Sequence, residues 1–239
     1  MLFLQYIPMN VLNGLYNLTL LLSFPALMIF AAWYAPQYAL DRKRGAIYTI
    51  MLYAVLFGIM FLLPEILTWF GVSDTLNSSR CFLFVLIPAV LFSKCFGIPS
   101  MQGCDYVIPS LFVARAVGKI GCGILGCCHG FPCDWGVYSS IAGERVFPLQ
   151  WLEVTFCVTM VVVCIKGAKR YQYQANGRVY GLAMVVFGVE RYLIQFLTTD
   201  YQFAIGFNMQ SIYAILMFLL GLLTLYFVDN PIKTHRTKE

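Results

Sequence analysis

Two cations, Arg115 and Lys119, stand four residues apart in an apolar, glycine-rich stretch. It runs Arg115-Ala-Val-Gly-Lys-Ile-Gly-Cys-Gly-Ile-Leu-Gly-Cys-Cys-His-Gly-Phe-Pro-Cys-Asp-Trp-Gly136. Residues four apart share a helix face, so the two charges repel unless something anionic lies between them. The other ionisable residues in or at the edge of apolar segments are Glu153, Glu190 and Arg191. A charge at mid-bilayer costs at least ~2.5–3.5 kcal/mol, so it pairs with another group or lines a wet cavity. Two arrangements meet that demand. In one, Glu153 and Glu190 neutralise the cations in a structural ion-pair network. In the other, Lys119 and Arg191, with Arg115 behind them, cradle a phosphate, for which the guanidinium fork is well shaped.

The same stretch offers His129, one of two histidines, and four of the nine cysteines. Imidazole is the ordinary side chain for proton transfer near neutrality, so His129 is a candidate general base. The competing reading has it only cap a helix end. Cys127, Cys128 and Cys133 could be read with His129 as a metal cluster, but the paired C-x-x-C knuckles of a structural zinc site are missing. No metal and no cofactor are expected. A disulfide among these three stays open, because an outer membrane face can be oxidising. Cys81, Cys95, Cys104, Cys157 and Cys164 read as small apolar residues within helices. The glycines at 118, 121, 123, 126 and 130 would weaken a free-standing helix, but between helices they let a neighbour or a ligand approach the backbone.

The elements that position these residues follow from composition. The 239 residues are 60% hydrophobic and 11% charged, against about a quarter charged in soluble domains. Mean hydropathy is +0.76. The expectation is an all-α integral membrane protein, one polytopic domain over 1–239, with seven transmembrane helices near 10–35, 46–68, 81–99, 105–127, 149–167, 179–197 and 209–228. Pro88, Pro99, Pro109 and the glycines should interrupt the third and fourth. The first eight residues lack the basic region of a cleaved signal peptide, so the first span should be retained. Arg42, Lys43, Arg44, Lys94, Lys166, Lys169, Arg170, Arg178, Lys233, Arg236 and Lys238 fall on one side, and only Arg80 and Arg145 on the other. The positive-inside rule then puts the N-terminus outside and the C-terminus in the cytoplasm. The basic tail reads as a membrane-surface anchor and not as a nucleic-acid site. Asn10, Asn13 and Asn17 share a face of the first span and should bond to a neighbouring helix, the competing reading being the polar edge of a headgroup pocket.

Together these residues resemble the prolipoprotein diacylglyceryl transferase family. The pattern begins at Asp105-Tyr-Val-Ile-Pro109 and continues through Gly118-Lys119-Ile-Gly121-Cys122, Gly126 and Gly130 to Asp134-Trp135-Gly136. Pro148-x-Gln150-Trp-Leu-Glu153 follows, then Arg191 with Gln195-Phe196, and finally Gln210-Ser211. The resemblance implies a seven-helix fold in the bacterial inner membrane. It also implies transfer of diacylglyceryl from phosphatidylglycerol to a lipoprotein cysteine thiol, with release of glycerol phosphate. Catalysis would fall to His129, Lys119 and Arg191. Substrate binding would fall to Arg115, Gly118, Gly121, Cys122, Gly126, Gly130, Asp134, Gln150, Glu153, Glu190 and Gln195. The chain departs from the family pattern at several points. Lys119 stands where the family has Arg, and Cys122 where it has Asn. Cys95-Phe-Gly-Ile-Pro99 occupies the place of a His-Gly-Gly-Leu motif. Gln195 and Thr198 replace a Glu and a second Arg, and the periplasmic head insertion has no counterpart.

Three functions compete. The favoured one is a phospholipid-dependent transferase whose partners are an anionic phospholipid such as phosphatidylglycerol, a lipoprotein precursor or other acceptor, and the membrane. A transporter or flippase for an anionic lipid or solute would also need a charged midplane cavity, but the two halves of the sequence show no symmetry. A thiol redox protein using Cys127, Cys128 and Cys133 lacks a C-x-x-C pair.

Overall fold

A chain this apolar must satisfy its backbone polar groups within its own segments, and helices do so most directly. The computed structural model describes residues 7–69, 79–174, 176–198 and 209–230. Its helices are α1 (Met9–Tyr34), α2 (Arg42–Trp69), α3 (Ser79–Phe84), α4 (Leu86–Phe96), α5 (Ser100–Leu125), α6 (Leu149–Arg170), α7 (Arg178–Ile194) and α8 (Met209–Asp229). A small antiparallel hairpin, β1 (Pro132–Tyr138) with β2 (Arg145–Val146), follows α5. Among the described residues, five helices are long and apolar enough to cross a membrane; they include α1 and α5 to α8. The surface agrees: Leu21 is 72% and Ile29 71% exposed, which suits lipid rather than water.

Helices stand where the spans are expected, with two corrections. The third segment does break, just after Phe84. Pro88 has no N–H to give the Phe84 carbonyl, so the α-helical ladder cannot run through that point. The fourth segment does not break. α5 runs unbroken from Ser100 to Leu125 with Pro109 inside it. Packing by α1, α4 and α6 outweighs the poor intrinsic propensity of its glycines. The helix starts after Pro99, so Asp105 does not open it as expected but lies in its second turn. There the buried Asp105 carboxylate accepts the backbone N–H of Gly177 at 2.7 Å and of Tyr180 at 2.8 Å. It thereby serves the unpaired donors at the start of α7. The sequence did not reveal that role.

α5 is the central element. Its Gly118 and Gly121 face Leu20, Thr19 and Tyr16 of α1, and Gly123 faces the Trp151 ring of α6. A third expectation fails on this face. Asn10, Asn13 and Asn17 are exposed, and α1 uses Tyr16, Thr19 and Leu20 against α5 instead of an asparagine ladder. At one end of the bundle, Tyr34, Tyr38, Tyr106 and Tyr173 pack ring to ring, and Arg178 pairs with Asp229. The basic residues 42–44, 166, 169, 170 and 178 flank this end. The glycine-rich end of α5, the hairpin and the start of α6 form the other. The basic tail lies outside the described residues.

α7 and α8 meet backbone to backbone. A Cβ at Gly188 would lie 2.8 Å from the Ala214 carbonyl oxygen and 2.8 Å from the Phe218 nitrogen. Helix backbone cannot step aside as a side chain can. Gly188→Ala should therefore destabilise the protein by ~1–3 kcal/mol, read as a lower thermal midpoint in detergent. An unchanged midpoint would mean that the two helices separate without cost.

Candidate active site

Glu153 sits one turn into α6 and is 1% exposed. Three cations converge on it. Arg115 Nη2 donates to its Oε1 at 2.8 Å, and Lys119 from α5 and Arg191 from α7 close on the same carboxylate. The Glu190 carboxylate accepts Arg191 Nε at 2.8 Å and Nη2 at 3.0 Å. Three positive and two negative side chains leave a formal excess of one positive charge. The ion-pair arrangement is thus present: the carboxylates compensate the cations, with one formal positive charge in excess.

Exposure separates the three cations. The Arg115 side chain is 3% exposed, that of Arg191 10% and that of Lys119 15%. Arg115 is thus the most enclosed of the three and Lys119 the least. The sequence did not single out Phe187. This buried ring lies 5.2 Å from the Arg115 guanidinium carbon and 5.6 Å from that of Arg191. Both cations thus rest against an aromatic face, a contact that strengthens where water is excluded. Phe187 also packs against Phe82, Phe112 and Phe156, which anchors the charged cluster to the core. Its spacing of four from Arg191 was the available signal.

The remaining candidates frame this cluster. Gln150, one turn before Glu153, donates its amide to the Cys127 carbonyl. Gln195 donates to the Arg191 carbonyl at 3.2 Å and accepts Ser211 Oγ at 2.8 Å, tying α7 to α8. Gly126 ends α5 in the left-handed region, at φ 81°, and Ser139 Oγ donates to its carbonyl at 2.7 Å. Gly118 and Gly121 seat α1, as described. Asp134 lies exposed on β1, where its main-chain carbonyl accepts Arg145, and it makes no ion pair with the cluster among the described residues.

His129 is half-buried in the segment after α5. That segment is fixed on both sides. Gly130 N–H donates to the Phe147 carbonyl at 3.0 Å and Phe131 N–H to the Leu197 carbonyl at 3.1 Å. A Cβ at Gly130 would meet the Leu197 oxygen at 2.7 Å, so the close approach needs glycine. His129 Nδ1 lies 3.0 Å from the Gly130 carbonyl. A carbonyl only accepts, so the neutral ring carries its proton on Nδ1 and leaves Nε2 as the bare acceptor. Among the described residues no ion pair joins His129 to Lys119, Arg115 or Arg191.

The cysteines arrange themselves otherwise than their sequence order suggests. The thiols of Cys122, Cys127 and Cys128 lie within 4.8 Å of one another. Cys133 instead sits beside Gly136 in the hairpin. Spacing had joined Cys133 to the group and left Cys122 out. The turn at Gly126 folds the chain back toward the last turn of α5 and reverses that choice.

Residues 81–227 match the family model for prolipoprotein diacylglyceryl transferase. Phosphatidylglycerol–prolipoprotein diacylglyceryl transferase 2 of Clostridium perfringens is 25% identical over 141 residues, covering 54% of this chain and 53% of the relative. The corresponding transferase of Clostridium tetani is 28% identical over 103 residues, covering 40% of this chain and 41% of the relative. That of Dehalococcoides mccartyi is 24% identical over 125 residues, covering 49% and 47%. The chain spans about half the length of the curated relatives it matches. The family match takes in most of α3 and all of α4 to α7, with the Glu153 cluster at its centre, and on it the chain belongs to the prolipoprotein diacylglyceryl transferase family.

Proposed function

We propose that the chain is a phospholipid-dependent transferase that moves diacylglyceryl from phosphatidylglycerol to a thiol acceptor. The observation that carries this reading is the buried cluster around Glu153, which keeps one net positive charge where a lipid phosphate would lie. A thiolate sulfur attacks the glyceryl carbon, a C–S bond forms, and the C–O bond to phosphate breaks. The leaving glycerol phosphate gains negative charge as it departs, and Lys119 and Arg191 stabilise it. His129 Nε2 takes the thiol proton. Arg115 holds Glu153 in place, and Glu190 orients Arg191. The glycines, Gln150 and Gln195 shape the walls of the site. The acceptor is a lipoprotein precursor, and the setting is the bacterial inner membrane.

The donor test uses Lys119→Met and Arg191→Met. Each should weaken phosphatidylglycerol binding by ~2–5 kcal/mol, the usual cost of truncating one buried charge partner. Lys119→Arg restores the residue that the family carries here, and it should bind donor at least as tightly as the parent chain. Unchanged binding in both Met variants would reduce the cluster to a structural network.

The same proposal sets the chain as one seven-span domain with the His129 end outside. Its support is the eleven-to-two basic asymmetry and the clustering of residues 42–44, 166, 169, 170 and 178 around one end of the bundle. Introduced cysteines should be labelled from outside in 73–80 and 131–147, and only after permeabilisation in 168–178. Outside labelling of 168–178 would reverse the orientation.

A further inference from the structure

We propose that Cys122, Cys127 and Cys128 form a three-thiolate site for a soft d10 metal ion of the Cu(I) or Zn(II) class. Their sulfurs lie within 4.8 Å of one another. A metal–sulfur bond of about 2.3 Å requires sulfur separations of roughly 3.8–4.0 Å, so small side-chain rotations close the set. Soft thiolates select these ions over hard cations.

The backbone builds the group. Cys122 lies in the last turn of α5, and the left-handed Gly126 turns the chain back, with its N–H donating to the Cys122 carbonyl at 2.8 Å. Cys127 Sγ sits 3.9 Å from that same carbonyl. Cys128 is held at φ 54°, a conformation that is strained for a non-glycine residue and persists only where the surroundings impose it. The pinned segment that follows, with Gly130 and Phe131 bonded to two other strands of chain, imposes it here.

The electrostatics favour a cation among thiolates. The carbonyl end of a helix carries partial negative charge and attracts positive ions. Cys128 is exposed and the other two are half-buried, which gives an ion a path in. On the proposed reading, ligation would also withhold three thiols from a reaction that alkylates thiols. The metal site stands on its own geometry and is tested without activity.

The test uses the full chain in detergent, reduced and handled without oxygen. Zn(II) and Cu(I) are each titrated in competition with a chromophoric chelator. One equivalent of at least one ion should bind. Cys122→Ser, Cys127→Ser and Cys128→Ser should each abolish stoichiometric uptake, while Cys95→Ser, exposed on α4, keeps it. A second measurement needs no variant: the bound ion should shield Cys122, Cys127 and Cys128 of the parent chain from iodoacetamide and leave Cys95 reactive, as read by peptide mass spectrometry. No uptake of either ion overturns the proposal. So does uptake that survives any of the three substitutions, or alkylation of the trio that the metal does not slow. A disulfide between two of the three in freshly isolated protein would make the group a redox pair and overturn it equally.

Discussion

Glu153→Gln should produce the largest loss of stability of any conservative substitution in this chain. The carboxylate is 1% exposed and answers Arg115, Lys119 and Arg191 together. The amide keeps the shape but removes the charge, so the site goes from one excess positive charge to two. Removing one partner of a buried ion pair costs ~3–5 kcal/mol, because the charges left behind remain out of water. The expected result is a sharply lower thermal midpoint in detergent and a smaller yield of folded protein. Adding Arg115→Met should recover part of the loss, since Arg115 is the cation most completely enclosed, and deleting both partners lies nearer to neutral than deleting one. The coupling is read from the double-mutant cycle. If Glu153→Gln melts like the parent chain, the convergence of three cations on one carboxylate is not what holds α5, α6 and α7 together.

His129→Gln should slow transfer by ~10²–10⁴-fold while donor binding stays near that of the parent chain. Glutamine keeps a hydrogen-bonding side chain that can still donate to the Gly130 carbonyl. It cannot take up a proton. The backbone around residue 129 is fixed by Gly130 and Phe131, so the substitution should leave the fold intact, which separates it from Glu153→Gln. The relevant measurement is single-turnover transfer from phosphatidylglycerol to a thiol peptide at saturating donor. Full turnover would remove His129 as the base. A parallel loss of donor binding would assign it to the lipid pocket instead.

The helices were legible because composition and run length decide them. Backbone polar groups in an apolar medium must be satisfied within each segment, and a run of about twenty apolar residues can do so only as a helix. The charged candidates were legible for the same reason. Arg115, Lys119, Glu153, Glu190 and Arg191 stand out because burying each one is costly, and five such costs in one chain imply that the groups meet. The sequence did not say how they meet. Both the ion-pair network and the phosphate cradle satisfied it, and only the structure showed Glu153 at the centre, with Arg115 enclosed and the other two cations nearer the surface.

Other features depended on contacts that no local pattern encodes. Asp105 is an acidic residue on one helix that serves the N-terminus of another, 72 residues further along the chain. Phe187 is one phenylalanine among twenty until two guanidinium groups are seen against it. α5 was expected to break at its proline and glycines, because propensity is a property of the isolated segment and packing is not. The asparagines of α1 shared a face, as periodicity requires, but that face did not meet a helix.

The clearest division lies at the end of α5. The sequence by itself determined that four cysteines and a histidine crowd the exit of a membrane helix, and that glycines there would permit a sharp turn. Which sulfurs come together depended on the sense of that turn. The left-handed backbone at Gly126 and Cys128 folds residues 127 and 128 back over Cys122 and sends Cys133 into the hairpin. Spacing along a chain fixes proximity only while the chain keeps a regular period. At a reversal held by contacts with distant segments, here residues 147 and 197, the period ends and the tertiary structure chooses the neighbours.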